Sequence, residues 1–390
     1  MISLCVPKLR FPEFSGEWDE FKFGKYLDIK SGYGFKASEY VNEGIPLVKI
    51  DNVSYGKIKW ETKTCLPKNY IQKYSDLVLN EDDILLALNR PITQNKLKIG
   101  ILKKKDAPAI LYQRVGKIIF NNKAVNKKFA YYNLTKQIYK FVLKSSVGSD
   151  QPFISTVELK KLKIKSPNLL EQQKIASFLS KLDKKIDLLE TKKELLQTYK
   201  KGMLQQLFSQ NLRFKDDAGN CYPNWNHLNF DKIFKSISTR KYQIKSSEIL
   251  DIGKIAVIDQ GKEKIAGYSN ETLKKFVDIP VIVYGDHTTN LKYAENEFIV
   301  GADGIKLLKS KIESNLKYLF YCLYYFNIEP EGYKRHFNIL RNVNLPLPFL
   351  SEQIKIADFL TSIDKKIDYV DKELQIDREF KKGLLERMFC

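Results

Sequence analysis

The sequence predicts an α+β chain in which two β-rich domains alternate with two long helices that pack as an antiparallel coiled coil. The first observation is a duplication, because residues 171–208 recur as residues 352–389 without a gap, with 17 of 38 positions identical. A duplication of such long period indicates one structural unit used twice. The second observation is that each copy follows a segment of short β-rich runs separated by Gly, Asn and Pro.

The duplication extends beyond the helices. The tripeptide LRF at residues 9–11 leads to Trp18, and LRF at residues 212–214 leads to Trp225. We therefore predict six consecutive segments with a repeated layout, because each half has a lead-in, a domain and a helix. The segments are an N-terminal segment 1–20, a first domain 21–165, a first helix 166–210, a connector 211–226, a second domain 227–347 and a second helix 348–390.

In each copy the apolar residues are spaced alternately by four and three positions, which is the heptad seam of a coiled coil. We therefore predict that the seam residues form the helix interface and the subunit interface. They are Ile175, Leu179, Leu182 and Ile186 in the first copy and Ile356, Leu360, Ile363 and Ile367 in the second. Matching seams predict two helices that pack antiparallel and hold the domains at a fixed distance.

Two details of the helices follow from single residues. Farther along, Lys193 and Asp377 fall on the seam, and the pattern predicts a stutter after which Leu195, Tyr199, Ile376 and Phe380 take over. Pro167 and Pro348 stop any preceding helix. Asn168 is the predicted N-cap of the first helix, with Glu171 as its partner, and Ser351 is the predicted cap of the second.

Each domain reads as short strands followed by one helix. In the first domain we predict strands at 45–50, 84–88, 97–102 and 115–120 and a helix at 127–143. In the second domain we predict strands at 254–259, 279–284, 297–300 and 305–308 and a helix at 316–326.

Composition limits the class of protein. Of the net charge of +20, the two helical segments 168–208 and 349–390 carry +3 and −1, which leaves +18 on the rest of the chain. Domains with such a positive excess favour a polyanion as partner, most simply nucleic acid. The sequence has no apolar run of about 18 residues, so we expect a cytoplasmic protein without a membrane span. Five scattered cysteines predict neither a zinc site nor a disulfide framework.

The repeated helices resemble a known family. Their motif EQxKIAxFL followed by DKKID is similar to the conserved spacers of the specificity (S) subunit of type I restriction–modification systems, as are the lead-ins LKKLKIKSP and NVNLPLP. Segments such as SGYGFKASEY, DDILLALNRP, PAILYQRVGKI and PVIVYGDHTTNLKY look like parts of that family's target-recognition domains. The resemblance covers the chain from end to end.

The resemblance implies a function without chemistry of its own. Each target-recognition domain would read one half of a bipartite, asymmetric site in double-stranded DNA. The helices would set the spacing and dock two methyltransferase (M) subunits, and two endonuclease (R) subunits would join them. No cofactor is expected on this chain, whereas S-adenosylmethionine, ATP and Mg²⁺ are expected on the partner subunits.

Reading a base sequence requires donors and acceptors on exposed loops, with cations for phosphate. In the first domain the candidate residues lie in a Gly-rich loop and two polar groups: Lys30, Ser31, Tyr33, Lys36, Arg90, Gln94, Asn95, Lys96, Gln113 and Arg114. In the second domain the candidates are Gln260, Lys262, Tyr268, Asp286, His287, Thr288, Lys292 and Lys306.

Two alternatives from other classes stay open. Asp51 with Glu61 and Lys63 fits the loose D…ExK spacing of metal-dependent nucleases. A coiled-coil protein whose basic domains bind nucleic acid without sequence preference would show the same charge. Neither a phosphate-binding GxxxxGK[ST] loop nor a metal-binding HExxH motif occurs in the sequence.

Overall fold

A computed structural model describes residues 6–122, 124–145, 152–332 and 334–389. The chain divides into two compact units, of which the first is Met1–Leu188 with Leu374–Cys390 and the second is Leu189–Glu373. Each unit contains a mixed α and β domain together with a segment of each long helix. The predicted α+β fold class is confirmed.

Among its described residues, the first unit has thirteen strands and the start of the first long helix. The strands are β1 (Asp19–Lys22), β2 (Leu27–Ser31), β3 (Ile45–Val48), β4 (Gly56–Lys57), β5 (Cys65–Leu66), β6 (Val78–Leu79), β7 (Ile84–Ala87), β8 (Ile92–Thr93), β9 (Lys96–Leu97), β10 (Ile99–Ile101), β11 (Ala109–Leu111), β12 (Val115–Phe120) and β13 (Lys163–Ser166). The helices are α1 (Phe23–Tyr26), α2 (Tyr70–Lys73), α3 (Lys127–Ser145), α4 (Thr156–Lys161) and α5 (Leu169–Phe208).

The domain of the first unit has two main sheets, ordered β2-β12-β7-β10-β4 and β5-β3-β11-β6. The central strand β7 shows how the sequence produces this layering, because the whole strand is buried. Alternate residues of a strand face opposite sides. Ile84 and Leu86 belong to the core that also contains Phe129 of α3, whereas Leu85 and Ala87 belong to the core between the sheets.

The second unit repeats this plan with fewer strands. The strands are β14 (Asn226–Asn229), β15 (Phe234–Ile237), β16 (Ile255–Ile258), β17 (Gly267–Ser269), β18 (Val281–Gly285), β19 (Leu291–Ala294), β20 (Ile299–Val300), β21 (Ile305–Ser310) and β22 (Asn344–Leu347). The helices are α6 (Phe230–Ile233), α7 (Leu316–Tyr325), α8 (Phe337–Leu340) and the first part of α9 (Leu350–Met388), which continues into the first unit from Leu374.

The sheets of the second unit are ordered β15-β21-β18-β19 and β17-β16-β20. The first order matches β2-β12-β7-β10, and the parallel pair β16·β20 matches the parallel pair β3·β11. The buried strand β18 again serves two cores, because Ile282 and Tyr284 face one and Val281 and Val283 the other. In each unit the first strand also pairs antiparallel with the last, as β1·β13 and β14·β22.

The two long helices begin in different ways. Asn168 accepts a hydrogen bond from the backbone N–H of Glu171 at 2.9 Å, so the predicted N-cap of α5 is confirmed. The Glu171 carboxylate, predicted as the N3 partner of this cap, instead accepts hydrogen bonds from Arg10. The predicted cap of α9 is wrong, because the helix begins at Leu350 and Ser351 lies inside it. The carbonyl oxygen of Phe349 accepts the first helical bond there, from Gln353 N–H at 3.0 Å.

Ion pairs between α5 and α9 establish the antiparallel direction within each unit. In the first unit Lys185 pairs with Asp377 at 2.8 Å, and Asp183 pairs with Lys381. In the second unit Lys193 pairs with Asp371 at 2.5 Å and Lys200 with Asp364 at 2.6 Å. Later residues of α5 therefore meet earlier residues of α9 in both units, as predicted for an antiparallel pair.

The seam residues lie inside the units. Ile175, Leu179, Ile186, Ile356, Leu360 and Ile363 are buried, and Leu182 and Ile367 pack against the same cores. Side chains of this chain therefore cover the seam residues at least in part, and their assignment to an interface with another subunit stays a prediction.

The predicted stutter is wrong. Leu195, Tyr199, Ile376 and Phe380 are 66%, 49%, 65% and 54% exposed, whereas Asp377 is only 8% exposed. Lys185 neutralises the Asp377 carboxylate from the neighbouring helix, so this polar residue keeps its inward heptad position. The four apolar residues accordingly stay on the outside of the helix pair.

Candidate nucleic-acid interface

In the first unit the predicted residues converge on one end of the larger sheet. Ser31 at the end of β2 pairs with Gly116 at the start of β12, and Val115 pairs with Ala87 at the end of β7. Ile99 at the start of β10 pairs with Leu86. The loops 30–36, 88–98 and 112–114 therefore emerge together, which brings together the ten predicted residues of this domain.

Two of these loops are in direct contact. Gln113 donates its backbone N–H to the carbonyl of Tyr33 at 3.0 Å, and Gly32 donates to Val115 at 3.3 Å. A Cβ atom on Gly32 would lie 2.2 Å from the carbonyl oxygen of Leu111, so only glycine permits this approach. The glycines of the motif SGYGF thus hold the loops together.

Four of the predicted residues have left-handed backbone conformations. The φ angles are 45° at Arg90, 51° at Gln94, 55° at Asn95 and 65° at Arg114. Gln94 and Asn95 are the two central residues of the β8–β9 hairpin, where a type I′ turn requires positive φ. The left-handed conformation costs a residue other than glycine about 1 kcal/mol. Residues held in such strained conformations cluster at functional sites.

The side chains at this end are offered to solvent. Tyr33, Lys36, Lys96 and Gln113 are exposed together with the four left-handed residues. Lys30 is the exception, because its ammonium pairs with Asp76 at 2.8 Å. Arg, Gln and Asn can contact base edges through two hydrogen bonds, and Lys can contact phosphate. This is the chemistry needed to read a groove of duplex DNA.

Aromatic rings support and extend the surface. Tyr33 lies 5.1 Å from Phe35 and stacks on Tyr74 at 5.9 Å, which fixes its direction. Phe153 is 60% exposed and was not predicted. It adjoins the site, since Arg90 N–H bonds to the carbonyl of the preceding Pro152 at 3.0 Å. Nothing in the sequence distinguishes Phe153 from the other 22 Phe residues of the chain, so its exposure could not be predicted.

In the second unit Gln260 organises the corresponding loops from within. Its side-chain nitrogen donates to the Asp303 carbonyl at 3.1 Å, and its side-chain oxygen accepts from His287 N–H at 3.2 Å. Its own carbonyl accepts from Thr288 Oγ1 at 2.6 Å and from Asn290 Nδ2 at 2.9 Å. The loops after β16, β18 and β20 are thus one connected structure.

Several predicted residues of this unit contact other residues of the same unit instead of solvent. Asp286 is buried and accepts the Phe337 N–H at 2.8 Å, so its predicted exposure on a loop is wrong. Lys292 pairs with Asp259 at 3.2 Å, and burial lowers the pKa of this ammonium. Lys306 lies 5.4 Å from the ring of Phe337. Lys262 and Tyr268 remain exposed, and Thr288 and His287 are half-buried.

A basic segment after β15 was missed. Arg240, Lys241 and Lys245 are exposed and follow β15 as the loop 32–36 follows β2. In both places a short 3₁₀ turn is capped in the same way, with Lys36 and Glu39 in one unit and Lys245 and Glu248 in the other. The repeated sequences KASE and KSSE were the signal that could have located this segment.

A second group of exposed apolar residues lies on the long helices. The first unit exposes Ile376 and Phe380 of α9 and Leu188 of α5, and the second exposes their repeat equivalents Leu195 and Tyr199 of α5 and Tyr369 of α9. Residues four positions apart lie on one face of a helix. We call each of these two sets an exposed helix stripe, and the sequence had assigned four of the residues, Leu195, Tyr199, Ile376 and Phe380, to the inside of the helix pair.

Two negative observations hold for the part of the chain that the structure describes. None of its helices is both long and apolar enough to cross a membrane. Within the same residues no group of three or more His, Cys, Asp or Glu side chains is placed to hold a metal ion. Asp51, Glu61 and Lys63 of the proposed nuclease motif are all exposed on loops of the smaller sheet.

The sequence is similar to those of several known specificity subunits. The MjaVIII specificity subunit of Methanocaldococcus jannaschii is 43% identical over 210 residues, which are 54% of this chain and 49% of the relative. The EcoAI specificity subunit of Escherichia coli is 30% identical over 189 residues, covering 48% of this chain and 31% of the relative. The chain thus spans half or less of these two relatives. The putative MjaX subunit is 28% identical over 97% of this chain and 94% of its own length.

Comparison with solved structures supports the architecture. The crystal structure of a type I S subunit from M. genitalium matches with a TM-score of 0.67 over 99% of both chains, at 18% sequence identity. At this identity the likeness shows the fold alone. The family model described as "Type I restriction modification DNA specificity domain" matches residues 15–198 and 223–376, once in each half. The predicted resemblance is confirmed, and the chain belongs to this family of type I restriction–modification specificity proteins.

Proposed function

We propose that the chain is the DNA-recognition subunit of a type I restriction–modification complex and performs no chemistry itself. Each domain reads one half of a bipartite, asymmetric site, and the domains correspond to the segments 21–165 and 227–347 predicted from the sequence. The observation that carries this proposal is the set of four left-handed residues, Arg90, Gln94, Asn95 and Arg114, at one end of a sheet. Strained, exposed side chains suited to base edges are retained where they serve function.

In the first domain Arg90, Gln94, Asn95, Gln113 and Arg114 are proposed to contact base edges. Lys36 and Lys96 would neutralise phosphate, with Tyr33 and Phe153 as apolar contacts. Ser31 and Lys30 lie at the margin, and Lys30 would have to leave Asp76 to reach a phosphate. Charge supports this assignment, since the chain outside the helical segments holds +18.

In the second domain we propose that Lys262, Tyr268, Arg240 and Lys241 face the DNA. Gln260, Thr288 and Asp286 hold the loops in position through the hydrogen bonds described above. His287, Lys292 and Lys306 border the same loops and would act over a longer range. We separate DNA-contacting residues from residues that support the loops by their exposure, because a side chain that is hydrogen-bonded within the domain has fewer donors and acceptors left for a base.

We propose that the exposed helix stripes dock the methyltransferase subunits. An apolar surface on a helix pair that its own chain leaves uncovered is typical of a protein interface. Because each unit has one exposed helix stripe, two methyltransferase subunits are expected, and two endonuclease subunits would join them. S-adenosylmethionine, ATP and Mg²⁺ would then be bound by those partners.

The proposed function is tested by sequencing modified bases in DNA from cells that express this chain with its methyltransferase, and from cells with the methyltransferase alone. We expect adenine methylation at a split, asymmetric motif only when this chain is present. In the variant Arg90→Ala/Arg114→Ala one half of the motif should relax and the other should stay. Lys22→Ala, on the exposed face of β1, is the matched control. If no motif depends on the chain, binding without sequence preference replaces the proposal.

A further inference from the structure

The motif DKKID occurs in both long helices, and its first aspartate contacts the domain of its own unit. Tyr132 of α3 donates its hydroxyl to Asp183 Oδ2 at 2.6 Å. In the second unit Tyr321 of α7 donates to Asp364 Oδ2 at 2.7 Å. The two aspartates are equivalent in the duplication, although the domains that supply the tyrosines have diverged.

The other oxygen of each aspartate belongs to the second long helix. Asp183 Oδ1 pairs with Lys381 of α9, and Asp364 Oδ1 pairs with Lys200 of α5 at 2.6 Å. Each aspartate thus joins three elements, namely the domain helix and both long helices. A hydrogen bond to a carboxylate is stronger and shorter than one between neutral groups, so it fixes an angle as well as a distance.

The hydroxyl groups lie in protected surroundings. Burial raises the pKa of Tyr132 well above its ordinary range, and the negative charge of Asp183 adds to the effect. Burial is also the main cause that raises the pKa of Tyr321. Both hydroxyls therefore stay protonated donors under all ordinary conditions, because the phenolate would face a carboxylate in a poorly solvated site.

The second aspartate of each motif also receives a side chain from the domain. Lys103, just after β10, pairs with Asp187 at 2.7 Å. Lys264, in the loop after β16, pairs with Asp368 at 2.9 Å. The lysines come from different places in their domains, yet both end on the same motif position. These pairs are exposed, so salt screens them and they add little alone.

We propose that the aspartates of the two DKKID motifs are positioning residues, which fix the angle of each target domain on the helix pair and thereby the number of base pairs between the two half-sites. This inference rests on the proposed function and adds a determinant of spacing to it. If the domain pivoted on the helices, its reading loops would shift away from their half-site. One base pair occupies about 3.4 Å of the DNA axis, so a shift of this size would decide whether a site with a different gap can be bound.

Tyr132→Phe is the sharpest test, because it removes one oxygen and leaves the ring packed. Asp183 keeps its ion pair with Lys381, so no unpaired charge is created. The matched control is Tyr131→Phe, an adjacent buried tyrosine on the same helix. The equivalent variant of the second unit is Tyr321→Phe, with the buried Tyr318→Phe as its control.

The experiment uses the complete chain with its methyltransferase and plasmids that carry both half-sites at the native gap and at gaps one or two base pairs shorter or longer. The readout is the methylated fraction at each gap. We expect Tyr132→Phe and Tyr321→Phe each to raise methylation at gaps changed by one base pair about tenfold relative to wild type, with both half-site sequences unchanged. The control variants should keep the strict gap.

Each other outcome overturns the inference. A strict gap in both variants would show that the aspartates do not set the spacing. Loss of methylation at every gap, or relaxed half-site sequences, would indicate a general structural role. If the wild type directs no split motif at all, the proposed function itself fails, and that result is visible before any variant is examined.

Discussion

The guanidinium of Arg10 donates two hydrogen bonds to the carboxylate of Glu171, from Nε at 2.8 Å and from Nη2 at 2.7 Å. Glu171 is fully buried at the start of α5. The second unit repeats the pair with Arg213 and Glu352, at 3.1 and 2.8 Å, and Trp225 adds an indole N–H to the same carboxylate at 2.9 Å. In each half of the chain, the Arg of the LRF lead-in therefore forms an ion pair with the Glu that begins the helix motif, and this pair attaches the lead-in to its helix.

Removing Arg10 should destabilise the first unit strongly. In Arg10→Ala the Glu171 carboxylate stays buried without a cation, and such a change costs about 3 kcal/mol of unfolding free energy. Urea denaturation followed by circular dichroism measures this loss. The double variant Arg10→Ala/Glu171→Leu should recover a large part of it, because no buried charge remains. A loss below about 1 kcal/mol in the single variant would contradict this account.

The left-handed residue Arg114 should show a conflict between stability and recognition. Arg114→Gly relieves a φ of 65°, so its unfolding free energy should exceed that of Arg114→Ala by about 1 kcal/mol. Both variants lose the guanidinium and should lose discrimination at one position of one half-site only. Thermal unfolding and binding to duplexes with single base changes give the two readouts. Equal stability of the Gly and Ala variants would argue against strain at this position.

Elements with strong local patterns could be predicted from the sequence. The strand Val115–Phe120 has the predicted bounds, and α3 starts at the predicted Lys127. The run 84–88 is apolar throughout and was recognisable as a strand buried on both faces. The duplication located both long helices, since a repeat of 38 residues with a heptad seam has few other interpretations.

Features that depend on distant partners could not be predicted. The strand β1 reads as charged loop, and it exists because Asp19 to Lys22 pair with β13 more than 140 residues away. The heptad spacing places Asp377 inward, but its charge led to the prediction of a stutter, because the ion pair with Lys185 that neutralises it comes from the other helix. In the candidate site, residue type selected Arg90 and Arg114, which are both exposed. It failed at Asp286, whose hydrogen bond to Phe337 depends on the folded loop.

Alkaline pH should lower the free energy of unfolding through Tyr132, because its phenol ionises near pH 10 in the unfolded chain but stays protonated against Asp183 in the folded one. The folded-state pKa of Tyr132 is raised above its ordinary value of 10.0, so its contribution is complete below pH 10 and is lost as the pH rises beyond it. The decline of unfolding free energy above pH 10 should be shallower in Tyr132→Phe, by up to about 1.4 kcal/mol per pH unit. Urea denaturation at pH 9, 10 and 11 measures the slopes. Parallel curves for wild type and variant would refute the assignment.

The exposed helix stripes should be needed for assembly and dispensable for folding. Leu195→Lys and Ile376→Lys place charges on side chains that are 66% and 65% exposed, so the melting temperature should barely change. A partner that buries a stripe would have to desolvate its ammonium, which is costly. We therefore expect the double variant to lose the methyltransferase in size-exclusion chromatography.

A matched control separates this effect from a general change of charge. Ile252→Lys and Leu273→Lys alter side chains of the second domain that are 86% and 92% exposed and lie outside the long helices. These variants should retain the methyltransferase, because they add the same charge away from the stripes. If both double variants lose the partner equally, added charge is the cause. If neither loses it, the methyltransferase docks elsewhere and the stripes have another function.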